Sequence, residues 1–439
     1  MKRKTLFLLI VFQAFVIFAN DETSILKLDL PLFDLPYQIY AMDTVGHSFF
    51  SSYANPSMAQ SLSIATNLFS GFHYGMRMFY DTSTMNKILK NIIYYGGTAI
   101  GDFALFMIPF GGDAWMHEEY HRAVMSLYGV NSFNSVYVFG NYVNNLTDED
   151  LTRFKMESPV NFIRLQEAGI EAEYLLIDTL QKNNFFYNKN HFSEFVYWAL
   201  LVNEHIYITN PGWKGAGENI PDRDFTGADP IGWVYDLFRP NEPYTERGIH
   251  PSGIGIDRYR ALDDLTDRER DYIKKVGYWQ FVNYISPMMF FFKSLPLGNT
   301  DIQWNFSFRH FLTSFGTDLV AKLYFTINEF NFITAYHNYQ NFEHIFPAIE
   351  IEMVDYPVRI GNFGMYISPK LMIGMQPKRQ DFFTSEVDFF GLIGSRIDFQ
   401  IHKYWLPYFE LTAKTNGWVA ENEFLEKKIS FKLGISARF

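Results

Sequence analysis

The residues best suited to chemistry are two histidines and a glutamate in the run His117-Glu118-Glu119-Tyr120-His121. Residues four apart lie on one face of an α-helix, so both imidazoles can reach a single metal ion. Glu118 lies one position along, where its carboxylate can take a proton from a water molecule that the metal activates. The pattern predicts a zinc (Zn2+) site with His117 and His121 as ligands and Glu118 as the catalytic base. The alternative is an amphipathic helix whose histidines fall four apart by coincidence.

The residues around this motif predict a helix over 113–129. Asp113 follows a Gly-Gly break and is a good N-cap, and Gly129 suits a left-handed stop at the other end. Val124 and Tyr128 continue the stripe of the two histidines, so we expect this face to be apolar and buried. Buried histidines need polar partners, which a metal and neighbouring acids can supply.

The His-Glu-x-x-His pattern resembles the motif of the zincin metallopeptidases. In their gluzincin branch the third metal ligand is a glutamate on a later helix, and the resemblance implies Glu171 for that role. Glu171 lies on a helix that Ser158-Pro159 should open, and it follows Gly169 in a run of small residues that permits close helix approach. The competing interpretation places Glu171 on a solvated helix face.

Two further acids are candidates for orienting a metal-bound histidine through a hydrogen bond to its other ring nitrogen. Glu167 lies one helical turn before Glu171 and is also its nearest rival as a ligand. Asp102 is the one charged residue in the nearly apolar stretch 92–110. It either orients a ligand or is a buried polar group with an ordinary partner.

The composition and the N-terminal residues indicate where the protein is located and exclude some classes of partner. The net charge of −11 argues against a nucleic-acid partner, and the absence of cysteine excludes disulfides and thiolate metal sites. Residues 1–19 have the charged start and the short apolar core of a cleaved secretory signal peptide. We therefore expect an exported protein.

From about Gly277 onward the hydrophobic period changes from that of a helix to that of a strand. Ile349 and Ile351 alternate with Glu350 and Glu352, and several later segments alternate in the same way. The final strand ends in Phe439 and resembles the C-terminal signature of bacterial outer-membrane proteins. Apolar residues would face lipid and polar ones the lumen of a transmembrane barrel, although a soluble sandwich gives the same alternation.

These observations together predict an α+β protein in which a helical, zincin-like region precedes an antiparallel β-barrel of the outer-membrane type. The expected segments are a signal peptide at 1–19, a mainly helical region at 20–208, an irregular connection at 209–276 and barrel strands at 277–439. The predicted function is that of a zinc-dependent, peptidase-like hydrolase in the outer membrane of a Gram-negative-type bacterium. It would contact outer-membrane lipid and act on a peptide or lipid substrate. The alternatives are a non-catalytic barrel with a helical plug and a lipid-acting hydrolase.

Overall fold

The computed structural model describes residues 26–188, 191–210, 226–328, 330–361 and 363–439. The predicted signal peptide lies outside these residues. In chain order, the α-helices of the described residues are α1 (Tyr37–Val45), α2 (Met58–Thr82), α3 (Lys87–Asn91), α4 (Gly97–Phe106), α5 (Asp113–Ser126), α6 (Asp148–Glu157), α7 (Pro159–Phe186), α8 (Glu194–Thr209), α9 (Asp229–Phe238) and α10 (Asp267–Trp279). A π-helical turn, Ile92–Gly96, joins α3 to α4.

The strands are β1 (Lys27–Leu35), β2 (Phe133–Asn134), β3 (Val143–Asn144), β4 (Leu295–Pro296), β5 (Ile302–Thr313), β6 (Gly316–Ile327), β7 (Phe330–Gln340), β8 (Ile345–Val354), β9 (Tyr356–Ile360), β10 (Phe363–Pro377), β11 (Val387–Gln400), β12 (Trp405–Lys414) and β13 (Lys428–Arg438). Apart from the small β2–β3 pair, all of them belong to one antiparallel sheet. The α+β class predicted from the sequence is therefore confirmed.

The large sheet is open, with β1 at one end of the strand order and β4 at the other. Its order is β1-β13-β12-β11-β10-β8-β7-β6-β5-β4, and β9 adds a second partner to β10. The described residues contain no pairing between the two ends, so the closed barrel predicted from the sequence is not observed. β1 lies in the segment 20–208, which was predicted to be mainly helical, and it pairs antiparallel with β13, from Lys27 beside Arg438 to Leu35 beside Phe431.

The two faces of this sheet have opposite character. On β8, the side chains of Ile349 and Ile351 are 51% and 52% exposed, whereas Glu350 points inward. The same arrangement recurs on β10, where Ile373 is exposed and Lys370 pairs with Glu350 at 3.2 Å. On these strands the sheet presents apolar side chains outward, and its inner face carries charged side chains beside buried apolar ones such as Val320 and Ile333.

Helix α7 lies against the inner face of the sheet and is held there by charge. Asp178 accepts from Lys322 on β6 at 2.8 Å, and Lys182 donates to Glu352 on β8 at 2.5 Å. A cavity of about 260 Å³ remains between α7, α2 and the inner face. Its wall includes the acids Asp29, Glu352, Glu410 and Glu421 and the cations Lys27, Lys182, Lys370, Arg396 and Lys432. The space inside the sheet is thus polar and nearly balanced in charge.

The helices predicted around the motif are present. Helix α5 ends at Ser126, and Gly129 has a φ of 63°, the left-handed geometry expected after a helix. Asp113 opens α5 as its first residue and Gly112 is the N-cap. Ser158 precedes α7, and Thr266 with Glu269 forms a capping box for α10. Within the described residues, no helix is both long enough and apolar enough to cross a bilayer.

Candidate metal centre

Helix α5 turns both histidines of the motif toward the middle of α7. The two imidazole rings lie 5.0 Å apart between centroids, as expected for residues one turn apart. Gly169 on α7 makes this approach possible, because a β-carbon at that position would overlap Nε2 of both His117 and His121. The small residues noted in the sequence therefore permit close contact between α5 and α7, as predicted.

Asp229 is the carboxylate that meets both imidazoles. Its Oδ2 lies 3.1 Å from His117 Nε2 and 3.4 Å from His121 Nε2. One ligand atom from each of the three residues falls within 4.8 Å of the others, which is a spacing that one metal ion can occupy. Asp229 is the first residue of α9, and Tyr207 on α8 fixes it twice. The Tyr207 hydroxyl donates to Oδ2 at 3.1 Å and accepts from the Asp229 backbone N–H at 2.9 Å.

The Nδ1 atom of each imidazole lies within hydrogen-bond distance of a group on α7. His117 Nδ1 lies 3.0 Å from Glu173 Oε1, and His121 Nδ1 donates to the carbonyl of Leu165 at 2.6 Å. Leu165, Gly169 and Glu173 are four residues apart, so they share one face of α7. Bonds of this kind fix the ring orientation of metal-ligating histidines and leave Nε2 free to bind metal.

Acidic side chains surround the two histidines, and the pKa values of acids and histidines alike are shifted. Burial raises the pKa of Glu118 to about 7, although both histidines work in the opposite direction. Burial also disfavours protonation of His117, but hydrogen bonds to Asp229 and Glu173 outweigh it and raise the pKa of His117 well above its usual value. The two imidazoles act against burial on Asp229 and lower the pKa of that carboxyl.

Two more acids lie behind His117. Glu204 on α8 and Asp113 on α5 are both buried, and each interacts with Glu173 and His117. Burial and the neighbouring Glu173 raise the pKa of both groups well above the usual value. One oxygen each of Asp113, Glu173 and Glu204 has no hydrogen-bond partner in the described structure.

The structure does not bring Glu171 to the imidazoles. Glu171 pairs with Arg164, and its Oε1 accepts from the backbone N–H of Glu421 at 2.6 Å. It lies two positions after Gly169, which is about 200° around the helix, so it points away from α5. Glu173, four positions after Gly169, is the glutamate of this helix that reaches the site.

The two acids predicted to orient a metal-bound histidine, Glu167 and Asp102, also lie away from His117 and His121. Glu167 accepts from Arg164 at 2.5 Å and from the indole N–H of Trp418 at 2.9 Å, on the side of α7 that faces the sheet. Asp102 lies 2.7 Å from Nε2 of His73 on α2 and does not contact either histidine of the motif. It is therefore a buried polar group with an ordinary partner, the alternative left open by the sequence.

Sequence reasoning missed Asp229, Glu173 and Tyr207. The helical period measured from Gly169 would have selected Glu173 over Glu171. Asp229 lies 112 positions after His117, and its one local signal is an Asp-Pro pair, which is a common start to a helix. Comparison of the chain with family models, with curated proteins and with solved structures gave no match.

Proposed function

We propose that this protein is a zinc-dependent hydrolase whose metal is held by His117, His121 and Asp229. The observation that carries the proposal is the convergence of two Nε2 atoms and one carboxylate oxygen within 4.8 Å. Two nitrogens and one oxygen form a donor set typical of catalytic zinc, which keeps a further position open for water or substrate. The Nδ1 contacts to Glu173 and Leu165 add the supporting bonds that zinc-binding histidines usually have.

The charge balance also favours a cation at this position. Asp113, Glu118, Glu173, Glu204 and Asp229 surround two histidines, and the described structure gives none of the five a Lys or Arg ion-pair partner. Burying five ionised carboxylates without a cation would be unfavourable, and the raised pKa values of Asp113, Glu118 and Glu204 reflect that cost. A divalent ion between the imidazoles and Asp229 would offset it.

Glu118 is the general base in this proposal. When bound, zinc would polarise a substrate carbonyl and lower the pKa of a coordinated water. Glu118 then accepts a proton from the attacking water and delivers it to the leaving group, while Tyr207 holds Asp229 in place. This chemistry cleaves esters and amides alike. The peptidase-like assignment rests on the resemblance of the motif to zincins.

Lipid contact is the second part of the proposal, with the bilayer of the outer membrane as the partner. The support is the set of exposed apolar residues on the outer face of the sheet, such as Ile349, Ile351 and Ile373, over an inner face that carries buried charges as well as apolar residues. A soluble sandwich places its apolar faces inside, whereas a membrane-embedded sheet exposes them to lipid. The export signal expected at 1–19 is consistent with this location.

The metal proposal is tested by Glu118→Gln and Glu119→Gln in the purified full chain. Glu118→Gln should keep one zinc per chain and lower turnover by roughly 10²–10⁴-fold, the range for losing general acid–base catalysis. Glu119 is buried against Arg122 and Asn134, so its Gln variant should melt earlier but keep zinc and the turnover of the folded enzyme. Zinc is measured by elemental analysis. A wild-type chain that takes up no zinc would overturn the assignment.

The membrane proposal is tested by fractionating cells that express the full chain. We expect wild-type protein in the outer-membrane fraction, released by detergent and not by high salt. Leu433→Arg on the outward face of β13 should reduce membrane assembly, since Arg at the bilayer midplane costs roughly 2–4 kcal/mol. Recovery of wild-type protein without detergent would contradict lipid contact.

A further inference from the structure

The inner face of the sheet carries a second group of polar side chains, on the side of α7 away from the metal centre. Asp178, whose carboxylate faces the sheet, lies about two and a half turns after Gly169 and therefore on the opposite side of the helix. Asp318 on β6, His337 on β7 and Glu350 on β8 lie on adjacent strands and are buried. His337 Nδ1 lies 2.8 Å from Asp318 Oδ2, so it carries the hydrogen of the neutral ring and leaves Nε2 as an acceptor.

Two atoms of this group have no hydrogen-bond partner among the described residues, Asp318 Oδ1 and His337 Nε2. Glu350 Oε2 lies 3.9 Å from His337 Nε2, which is beyond hydrogen-bond distance, and 3.2 Å from the ammonium of Lys370. Asp318 and His337 line a cavity of about 120 Å³. Because a buried acceptor without a donor is unfavourable, a donor group in this cavity would stabilise both atoms.

The donor that suits these atoms is an ammonium group. Within the described residues, the metal-ligating side chains that converge closely enough for one ion are His117, His121 and Asp229, so a metal ion is not favoured at His337. A primary ammonium has three N–H donors and can reach two acceptors at once. The wall of the cavity also favours a positive charge, since it contains five acids and three lysines.

The larger cavity of about 260 Å³ adjoins the smaller one and has the opposite balance of charge, with five cations and four acids in its wall. The wall residues that the two cavities share are Thr179, Lys182, Glu352, Lys370 and Glu421. The side chains of Lys182 and Lys370 are 30% and 36% exposed, so solvent reaches the space where the cavities meet.

Lys27 on β1 is the most loosely paired cation of the larger cavity. Its hydrogen bond to the Tyr187 hydroxyl measures 3.4 Å, and the carboxylates of Asp29 and Asp355 lie 3.7 Å away. The four other cations of this wall each have a carboxylate oxygen within 3.2 Å. Thr66 on α2 lines the same cavity, and its hydroxyl has no partner among the described residues. An anionic oxygen would accept hydrogen bonds from both side chains.

We propose that the two adjoining cavities bind a small zwitterion that carries an ammonium at one end and a carboxylate at the other. The ammonium donates to Asp318 Oδ1 and His337 Nε2. The carboxylate accepts from Lys27 and from the Thr66 hydroxyl. Because the two ends occupy different cavities, several chain atoms must separate them, as in a dipeptide or an ω-amino acid and unlike an α-amino acid. This site uses neither the metal-binding histidines nor Glu118, so the inference does not depend on the proposed hydrolase function.

The ligand class is tested by ligand-observed NMR on the purified full chain in detergent micelles. The probe is 5-aminopentanoate, which has no bond that the proposed hydrolase could cleave. We expect it to bind. Each of 5-hydroxypentanoate and 5-aminopentanamide lacks one of the two charges and should bind more weakly by roughly tenfold or more. Equal binding of all three compounds, or no binding of the probe, would overturn the inference.

A second comparison distinguishes the two sources of such a zwitterion. Glycylglycine has the same number of chain atoms between its charges as 5-aminopentanoate, and it is measured in the Glu118→Gln chain so that it is not cleaved. Tighter binding of glycylglycine would assign the site to dipeptides, and weaker binding would assign it to ω-amino acids. Both results support a zwitterion site.

The ammonium end is tested by Asp318→Asn, which replaces the unpartnered acceptor with an amide that can donate. Affinity for 5-aminopentanoate should fall by roughly tenfold or more. The matched control is Asp102→Asn, which makes the same change in a buried aspartate that also contacts a histidine but is outside both cavity walls. It should leave the affinity unchanged. Equal loss in the two variants would assign the effect to the stability of the fold and overturn the inference.

The carboxylate end is tested by Thr66→Val, which keeps the shape of the side chain and removes a hydroxyl that has no protein partner. The chain should therefore fold normally, as its melting temperature will show, and affinity for 5-aminopentanoate should fall severalfold. The control Ser70→Ala removes another unpartnered hydroxyl one turn along α2, outside both cavity walls, and should not change the affinity. Full affinity in Thr66→Val, or equal loss in Ser70→Ala, would overturn this placement of the ligand.

Discussion

Among the described residues of the helical part, histidine contacts a carboxylate at two places, and only one of the two has the geometry of a metal centre. The first is the group His117, His121 and Asp229. The second, which we call the His73 cluster, joins His73 on α2, Asp102 on α4 and Ser193 just before α8. Asp102 Oδ1 lies 2.7 Å from His73 Nε2, and Ser193 Oγ lies 3.0 Å from His73 Nδ1.

The difference between the two lies in how many imidazoles share one carboxylate and in how exposed the group is, since His117, like His73, has a side-chain contact at each ring nitrogen. In the His73 cluster both nitrogens contact side chains of the protein, and the three residues are each at most 1% exposed. At the metal centre each histidine has one nitrogen bonded to α7, while both Nε2 atoms face the same carboxylate oxygen and the side chains of His117 and Asp229 keep 13% and 16% exposure. A serine, a histidine and an aspartate in contact therefore do not make a reactive site when substrate has no approach to them. The His73 cluster ties together three helices.

The largest expected effect comes from removing the shared carboxylate. Asp229→Ala leaves two imidazoles without a third ligand, so zinc affinity should fall by more than the 10–100-fold typical of losing a supporting partner, and turnover should be lost with it. Glu171→Gln is the control, since Glu171 was the ligand expected from the sequence. It should weaken the contact with Arg164 and lower the melting temperature while zinc binding stays the same.

Zinc affinity is measured for both variants by titration against a competing chelator. If Glu171→Gln lost zinc and Asp229→Ala kept it, the site described here would be incorrect and the gluzincin-like arrangement would be restored.

The sequence predicted many elements of this fold, because hydrophobic period and capping residues act locally, but helix α9 lies in the stretch that was predicted to be irregular. The alternation of Ile349 and Ile351 with Glu350 and Glu352 gave both the strand and its two faces, and Gly129 gave the end of α5. The predicted closure of the sheet is not observed among the described residues. Alternation within a strand specifies which face is apolar, but it carries no information about whether the first and last strands pair.

The site was half predictable for a related reason. His117, Glu118 and His121 lie within one helical turn and a half, so their geometry follows from the helix itself. The position of the third candidate ligand, Asp229, depends on how α9 packs against α5 and α7, which no local pattern encodes. Glu171 was chosen because it is near Gly169 in sequence, whereas the period of the helix turns it toward Arg164 and brings Glu173 to the site.

The smallest expected effects come from replacing one acid by its amide in each of the two clusters. Glu173→Gln keeps the size of the side chain and its contact with His117 Nδ1 but removes the negative charge that increases the basicity of the ring. Zinc affinity should fall about 10–100-fold with the fold intact.

Asp102→Asn makes the equivalent change beside His73. It should lower the free energy of unfolding by about 1–3 kcal/mol, as expected for weakening a buried hydrogen bond to a charged group, and leave zinc affinity unchanged. Chelator competition and denaturant unfolding on both variants give the two quantities. Equal loss of zinc affinity in both variants would mean that zinc binding follows the general stability of the fold. The His117, His121 and Asp229 group would then not be distinguished from the His73 cluster as a metal centre.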